Sequence, residues 1–234
     1  VYPEELDANP WLLNCLSGTL DIKHRQIRPH TREDLLTKIA PVEYDPEAIC
    51  PAWDAFLQQI MGGSEEMVEY LQKAVGYSMT GSTEEHCLFV LYGTGRNGKS
   101  TFLNTIRAML GGYARQAATD AFVAKRVGNS SPSDEIAALR GARFVIAIET
   151  DEGQRLAEAL VKQLTGGDTV TVRRLYENFF EFKPEFKLFL ATNHKPKIHG
   201  TDNAIWRRIR LIPFTLSLTE DEVNKLLDLV KLLK

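Results

Sequence analysis

The chain has 234 residues, of which 44% are hydrophobic and 25% are charged, and its formal net charge is −3 at pH 7. This balance gives no overall attraction to nucleic acid, and the length suits one α/β domain with a smaller appendage. Three widely spaced cysteines argue against a disulfide framework and against a cysteine metal site. No apolar stretch is long enough to cross a membrane, so we expect a cytoplasmic protein without membrane partners. Because the first residue is Val, we expect a fragment of a longer protein.

Residues 1–82 are expected to form a separate N-terminal domain, because turn signals are dense there and the elements are short. Leu12–Arg28 predicts short strands joined by two turns. Residues 31–40 predict a helix, and helical periodicity predicts two more, around 53–60 and 64–75, with Ser64 as the N-cap of the second. We interpret this domain as mixed and mainly helical, without chemistry of its own.

A phosphate-binding loop is predicted at residues 93–100, where the sequence matches G-x-x-x-x-G-K-[ST]. An apolar strand, 87–92, precedes it and a helix, 101–110, follows, which is the context that the motif requires. Lys99 would neutralise the terminal phosphates of a nucleoside triphosphate, and the Ser100 hydroxyl would ligate magnesium. The alternative is a chance glycine-rich turn. The residues expected to bind nucleotide are Gly93, Thr94, Gly95, Arg96, Asn97, Gly98, Lys99, Ser100 and Thr101.

Two further strands predict the rest of a hydrolytic site. The apolar run 143–148 ends in acids, a Walker B pattern, in which we favour Glu149 as the metal ligand. Asp151 or Glu152 would then position the attacking water, and spacing does not choose between them. A strand at 186–191 leads to Asn193, which we interpret as a sensor of the γ-phosphate or of the water. Without the phosphate loop, each of these would be an ordinary strand followed by a polar turn.

The order and the sequences of several motifs resemble those of the helicase region of phage and plasmid primases, a branch of the superfamily 3 helicases. These motifs are G-T-G-R-N-G-K-S-T, A-I-E-T-D-E-G, L-V-K-Q-L-T-G-G-D-T-V-T-V-R-R-L-Y, F-K-L-F-L-A-T-N-H-K-P and I-W-R-R-I-R-L-I-P-F. The resemblance covers nearly the whole chain, including the domain that precedes the ATPase core.

The resemblance implies an α/β fold with an AAA+-type parallel-sheet P-loop core at 83–215, after the N-terminal domain at 1–82. A capping-box pattern at Thr219–Glu222 predicts a helix within residues 216–234, and this part would begin a truncated region. It also implies ATP and Mg²⁺ as cofactors, a hexameric ring on single-stranded or forked DNA, and unwinding during replication of a mobile element in a bacterial host cytoplasm. A primase or other domains are expected on the missing flanks.

The resemblance places a DNA-contacting β-hairpin between the Walker B strand and the sensor. The residues agree, because Val170-Thr171-Val172 alternates with period two and 179–182 returns as a second strand. Nine Lys/Arg against four Asp/Glu between residues 173 and 210 make this region locally basic. The alternative is a solvated hairpin with ordinary surface arginines. Lys162 matches the family motif's lysine, for contact with DNA, nucleotide or a subunit. The DNA-binding candidates are Lys162, Arg173, Arg174, Tyr176 and Lys183.

In the family an arginine just beyond the sensor reaches the neighbouring subunit's γ-phosphate. Arg207 is the first candidate for this arginine finger and Arg208 the second. They could instead pair with acids inside one subunit. Two alternatives to a helicase stay open at this point: a nucleotide-gated DNA-binding ring that does not unwind, and a P-loop phosphotransferase acting on a small molecule.

Overall fold

The structure is a computed structural model that describes residues 2, 4–124, 133–148, 155–195 and 203–222. It divides into two compact units. The first unit comprises residues 1–81, 93–113 and 213–234, and the second comprises residues 82–92 and 114–212. The domain boundaries inferred from the sequence stay a prediction.

The first unit begins with a three-stranded antiparallel sheet. Its strands are β1 (Leu12–Cys15), β2 (Gly18–Asp21) and β3 (Gln26–Arg28), in the order β1-β2-β3. Leu13 pairs with Leu20, and Thr19 pairs with Arg28. The strands and turns predicted for this stretch are therefore confirmed.

The helix predicted at residues 31–40 is wrong. Only one 3₁₀ turn forms, Arg32–Asp34, and Leu35 leaves it with a left-handed φ of 51°. The backbone groups that a helix would use are bonded to distant residues instead. The Thr37 amide donates to the Asp7 carboxylate at 2.7 Å, and the Ala40 amide donates to the Asn14 carbonyl at 2.8 Å. These long-range hydrogen bonds outweigh the local helical pattern.

The helices of the first unit lie later in the chain. They are α1 (Pro51–Ile60), α2 (Glu65–Met79) and α3 (Lys99–Leu110). Ser64 caps α2 as predicted, since its hydroxyl accepts from the Met67 amide at 3.3 Å. Among the described residues before 51 there is no α-helix, so strands dominate the first part of this segment and helices only its end. Trp53 of α1 stacks on Phe102 of α3, with ring centroids 5.9 Å apart.

The second unit is built on a five-stranded parallel sheet with the order β10-β4-β9-β6-β5. Its strands, with those of a separate hairpin, are β4 (Leu88–Tyr92), β5 (Ala114–Ala117), β6 (Phe144–Ile148), β7 (Val170–Arg173), β8 (Phe179–Phe182), β9 (Lys187–Thr192) and β10 (Ile209–Pro213). Its helices are α4 (Ser133–Ala137), α5 (Glu158–Thr165) and α6 (Asn203–Trp206). The α/β fold class with a parallel, P-loop-like core is confirmed.

The central strands are apolar on both faces, as parallel strands covered on both sides must be. On one face, the Phe189 ring packs against Phe89 and Phe144, with centroids 4.6 Å apart in both pairs. The other face contributes Leu88, Val145 and Leu190 to a core that also contains α5 and hairpin residues. This packing holds β9 between β4 and β6.

Two buried cations lie near the amino ends of β6 and β9. Arg143 and Lys187 are each 1% exposed. The Lys187 ammonium donates to the carbonyls of Ser82 at 3.0 Å and of Glu185 at 3.1 Å. Burial, reinforced by the charge of Arg143, lowers the pKa of Lys187 from 10.5 to about 7.

Candidate functional site

The phosphate loop continues the chain from β4 and ends where α3 begins at Lys99. Its backbone is tightly curled, with φ values of 52° at Arg96 and 82° at Gly98. A Cβ at Gly98 would lie 2.6 Å from Ile60 of α1, and one at Gly93 would lie 2.0 Å from the Phe214 carbonyl oxygen. Both glycines are therefore required by close packing within the first unit.

Lys99 lies at the start of α3, and only 7% of it is exposed. Its ammonium donates to the Gly93 carbonyl and, at 3.2 Å, to the side-chain oxygen of Asn97. Burial lowers the pKa of Lys99 because the charged form is poorly solvated. A buried ammonium held by neutral oxygens can gain a stronger partner from an anionic phosphate.

The loop has the space and the groups that a nucleotide phosphate needs. A Cβ added at Gly95 would meet nothing within 4 Å, so this side of the loop is open. The N-terminus of α3 carries the partial positive charge and backbone donors that favour phosphate. Ser100 is exposed in the first turn of α3. Within the described ranges no cluster of three His, Cys, Asp or Glu residues could hold a metal ion.

The predicted acidic residues Glu149, Asp151 and Glu152 lie outside the described residues. The strand ends beside them are described. Ile148 of β6 pairs with Ala191 of β9, and Thr192 pairs with Tyr92 at the end of β4. These strands therefore end at one edge of the second unit's sheet.

Asn193 follows β9 directly at that edge, and its side chain is exposed. The turn beyond it is fixed by the Thr192 hydroxyl, which accepts from the His194 amide at 3.1 Å. The Lys195 ammonium lies 5.0 Å from the centroid of the Tyr92 ring.

The predicted hairpin forms from β7 and β8, with Val172 opposite Phe180 and Arg173 opposite Phe179. The Arg173 guanidinium lies 5.2 Å from the Phe179 ring centroid, a cation–π contact. Tyr176 at the tip is 98% exposed and has a left-handed φ of 64°. Arg174 is exposed beside the tip. The hairpin thus presents cations next to exposed aromatic rings.

The hairpin contacts α4 and the turn after it, close to the hairpin tip. The Leu175 amide donates to the Asp134 carboxylate at 3.1 Å, and the Arg140 guanidinium lies 5.6 Å from the Phe180 ring. Lys183 is exposed just after β8. Lys162 is half-buried on α5 and is not part of the hairpin.

The two candidate finger arginines differ in their surroundings. Arg207 is exposed and lines an open pocket of about 570 Å³ with Asn203 and Trp206. Arg208 is half-buried and donates to the Ala204 carbonyl of α6 at 2.8 Å. Its Nε is buried and has no hydrogen-bond partner among the described residues.

Several residues that shape these sites were not predicted from the sequence. Phe214 and Leu218 hold the phosphate loop, and Asp134 holds the hairpin. The Asn97 side chain donates to the Phe214 carbonyl at 2.9 Å across 117 residues, and Asp134 is 41 residues from its partner Leu175. No local pattern indicates such contacts.

None of the described helices is long and apolar enough to span a membrane.

Two family models match the chain. One is described as "D5 N terminal like" and matches residues 1–62, and the other as "Family of unknown function (DUF5906)" and matches residues 91–208.

Curated relatives and a solved structure are also similar. A "Putative helicase" of Acanthamoeba polyphaga mimivirus is 31% identical over 91% of this chain and 22% of its own length. "Primase D5" of Fowlpox virus is 25% identical over 92% of this chain and 28% of its own. The chain thus spans about a quarter of either relative. "The A form apo structure of NrS-1 C terminal region-CTR" shares the fold, with a TM-score of 0.57 and 13% identity over 82% of this chain and 45% of that chain.

Proposed function

The chain belongs to the family described as "Family of unknown function (DUF5906)", whose model matches residues 91–208. Within that family, we propose that this chain is the ATP-hydrolysing motor of a replicative DNA helicase of superfamily 3 type. Relatives named as a helicase and a primase support a role in replication. The observation that carries the proposal is the phosphate loop, with Lys99 buried at the start of α3 and an open side at Gly95.

ATP is the proposed substrate, and Mg²⁺ is the proposed metal cofactor. Lys99 would exchange its neutral oxygens for the β- and γ-phosphates, and Ser100 with Glu149 would hold the metal. Asp151 or Glu152 would orient the attacking water, and Asn193 would detect the γ-phosphate. Magnesium would neutralise charge on the phosphates while the γ-phosphoryl group is transferred to water.

Single-stranded or forked DNA is the nucleic acid that we propose the protein binds and moves along. The exposed arginines of the hairpin suit the phosphate backbone, and Tyr176 offers a ring for stacking with a base or sugar. An arginine that lies with its planar face against an aromatic ring still has N–H donors along its edge. Arg173, Arg174, Tyr176 and Lys183 would therefore form one contact surface. Lys162 would act from α5, outside this surface.

A homo-oligomeric ring, six subunits by the family resemblance, is the proposed assembly. Arg207 would be the finger that reaches the neighbouring site, because it is exposed beside an open pocket. Arg208 is hydrogen-bonded to the Ala204 carbonyl of α6, which favours a supporting role in the same subunit. Primase or other domains would lie in the parts of the longer relatives that this chain does not span.

The replicon is proposed to be viral, since the curated relatives that match come from viruses of eukaryotes. This replaces the phage or plasmid of the sequence-based expectation. The expected location accordingly changes from a bacterial host cytoplasm to the host cell of such a virus.

The test is the ATPase rate with and without single-stranded DNA, on protein whose oligomeric mass is measured in parallel. We expect hydrolysis that DNA stimulates in the oligomer. Lys99→Ala should abolish turnover, whereas Lys73→Ala, which removes an exposed lysine of α2, should not. An assembled oligomer that binds DNA and ATP without turnover would instead indicate a nucleotide-gated ring.

Trans action by Arg207 is tested by mixing two inactive variants. Arg207→Ala and Lys99→Ala subunits co-assembled in one oligomer would place an intact loop beside an intact finger at some interfaces. Hydrolysis should therefore partly return. Activity that never exceeds the weighted sum of the two variants would reject trans action.

A further inference from the structure

Asn97 is a buried polar side chain within the phosphate loop, and it joins two parts of the first unit. Only 4% of it is exposed. Its carbonyl oxygen accepts from the Lys99 ammonium at 3.2 Å. Its NH₂ group donates to the Phe214 carbonyl at 2.9 Å and to the Thr94 carbonyl at 3.3 Å. One amide therefore connects the catalytic lysine candidate to a segment more than a hundred residues later.

That later stretch, residues 214–222, is here called the C-terminal segment. It is held to the loop a second time, because the Leu218 amide donates to the Arg96 carbonyl at 2.6 Å. Phe214 is fully buried, and its ring centroid lies 6.3 Å from that of Phe102 on α3. At the far end, Glu222 accepts from Gln59 of α1 at 2.6 Å.

Two hydrogen bonds thus flank the strained part of the loop. Arg96 has a left-handed φ of 52°, a conformation that a residue with a Cβ adopts only when its surroundings hold it. The Leu218 amide on the Arg96 carbonyl and the Asn97 side chain on Phe214 provide that hold. The conformation of the loop and that of the C-terminal segment therefore depend on each other.

The bond between Lys99 and Asn97 is the part of this link that an anion would change. A cation on the Asn97 oxygen polarises the amide and strengthens the hydrogen bonds that its NH₂ group donates. Phosphate oxygens are stronger acceptors for an ammonium than a neutral amide oxygen. When Lys99 turns to phosphate, Asn97 loses its cationic partner and its bond to Phe214 weakens.

We propose that Asn97 is a positioning residue that links Lys99 to the C-terminal segment, so that a nucleotide in the phosphate loop loosens residues 214–219. This proposal rests on the proposed function, because it requires that the loop bind nucleotide. It adds a route by which occupancy of the loop is transmitted to the chain that follows β10.

The test is hydrogen exchange at the Leu218 amide, with and without Mg·ADP, together with an independent measurement of ADP binding. In the unaltered protein we expect bound ADP to speed exchange at Leu218 by about threefold or more, because the bond network that holds the segment is weakened. Ligands ordinarily slow exchange near their site, so this direction is diagnostic. Exchange that is unchanged or slower with ADP bound would overturn the proposal.

Two variants of Asn97 test the link itself. Asn97→Ala removes both the oxygen that accepts from Lys99 and the NH₂ group that donates to Phe214. Asn97→Asp keeps the acceptor for Lys99 but lacks the donor to Phe214. In both variants Leu218 should exchange faster without nucleotide, and ADP should add no further increase. Asn104→Ala, which removes an exposed amide from α3, is the matched control and should respond as the unaltered protein does. A normal ADP response in Asn97→Asp would overturn the link through Phe214.

The outcomes separate this proposal from the proposed function. If the unaltered protein binds no ADP, the proposed function fails at its first step. If it binds ADP while Leu218 exchange does not rise, only the role of Asn97 fails. The measurement on the unaltered protein decides the proposal even if a variant does not fold.

Discussion

Replacing Gly93 with alanine should destabilise the first unit, whereas the same change at Gly95 should not. Gly93 has a φ of 152°, and its added Cβ would lie 2.0 Å from the Phe214 carbonyl oxygen and 2.8 Å from the Asn97 side-chain nitrogen. A residue forced into such a conformation costs about 1–3 kcal/mol. Separation of the two segments would also break the hydrogen bond from Asn97 to Phe214, at about 1 kcal/mol.

Together these effects amount to about 2–4 kcal/mol for Gly93→Ala. With a dependence on urea of about 2 kcal/mol per molar, the unfolding midpoint should fall by about 1–2 M. Gly95 has no positive φ and faces open space. Gly95→Ala should leave the midpoint within about 0.5 M or raise it slightly, because alanine restricts the unfolded chain.

The assay is equilibrium urea unfolding without nucleotide, followed by tryptophan fluorescence; Trp53 reports the first unit because it stacks on Phe102. ADP affinity, measured on folded protein, should rank the two variants in the opposite order, with Gly95→Ala binding more weakly than Gly93→Ala. Gly95→Ala should lose affinity although it is stable, because its methyl group fills the side of the loop proposed for phosphate. Equal midpoints for the two variants would refute the packing argument, and unchanged affinity in Gly95→Ala would refute the open side as the phosphate site.

The remaining predictions concern the hairpin, the buried lysine and the two arginines. Arg173→Ala with Arg174→Ala should reduce the slope of log K against log salt for single-stranded DNA by about 0.7 per lost contact, whereas Lys23→Ala with Arg32→Ala, an equal charge change on the first unit, should not. The pKa of Lys187 falls from 10.5 to about 7 on folding, so between these values the unfolded chain binds more protons and the free energy of unfolding rises with pH. Urea unfolding from pH 7 to 9 should therefore show a slope that exceeds that of Lys187→Met by up to about 1.4 kcal/mol per pH unit, and parallel curves would contradict the shifted pKa. Arg208→Ala should lower stability by about 1 kcal/mol through loss of its bond to Ala204, whereas Arg207→Ala should stay within about 0.5 kcal/mol in the same unfolding assay.

Local sequence patterns predicted the elements that local physics determines. The strands of 12–28, the cap at Ser64 and the β7–β8 hairpin all follow from alternation, turn residues or capping chemistry, and all are present. The capping box at Thr219 also forms, with the Thr219 amide donating to Glu222 at 2.7 Å. Each of these depends on neighbours a few residues apart.

Features that depend on distant partners could not be predicted in this way. The helix expected at 31–40 fails because Asp7 and Asn14 take its amides. The phosphate loop was recognised from its motif, but the motif does not indicate that Phe214 and Leu218 hold it. Likewise, alternation predicted the hairpin, but not that Asp134 of α4 would accept from Leu175 beside the tip.

Arg207 and Arg208 show what the structure adds to a motif. Adjacent residues of the same type are equivalent in a sequence pattern, and a finger that acts on a neighbour needs a side chain that is not already committed to its own subunit. A hydrogen bond to the Ala204 carbonyl ties Arg208 to its own unit, so extending the side chain outward would break that bond. Arg207 is exposed beside an open pocket, and its extension costs only side-chain entropy. This difference favours Arg207 as the trans-acting residue and makes mixed oligomers of Arg207→Ala, rather than of Arg208→Ala, the decisive assembly to measure.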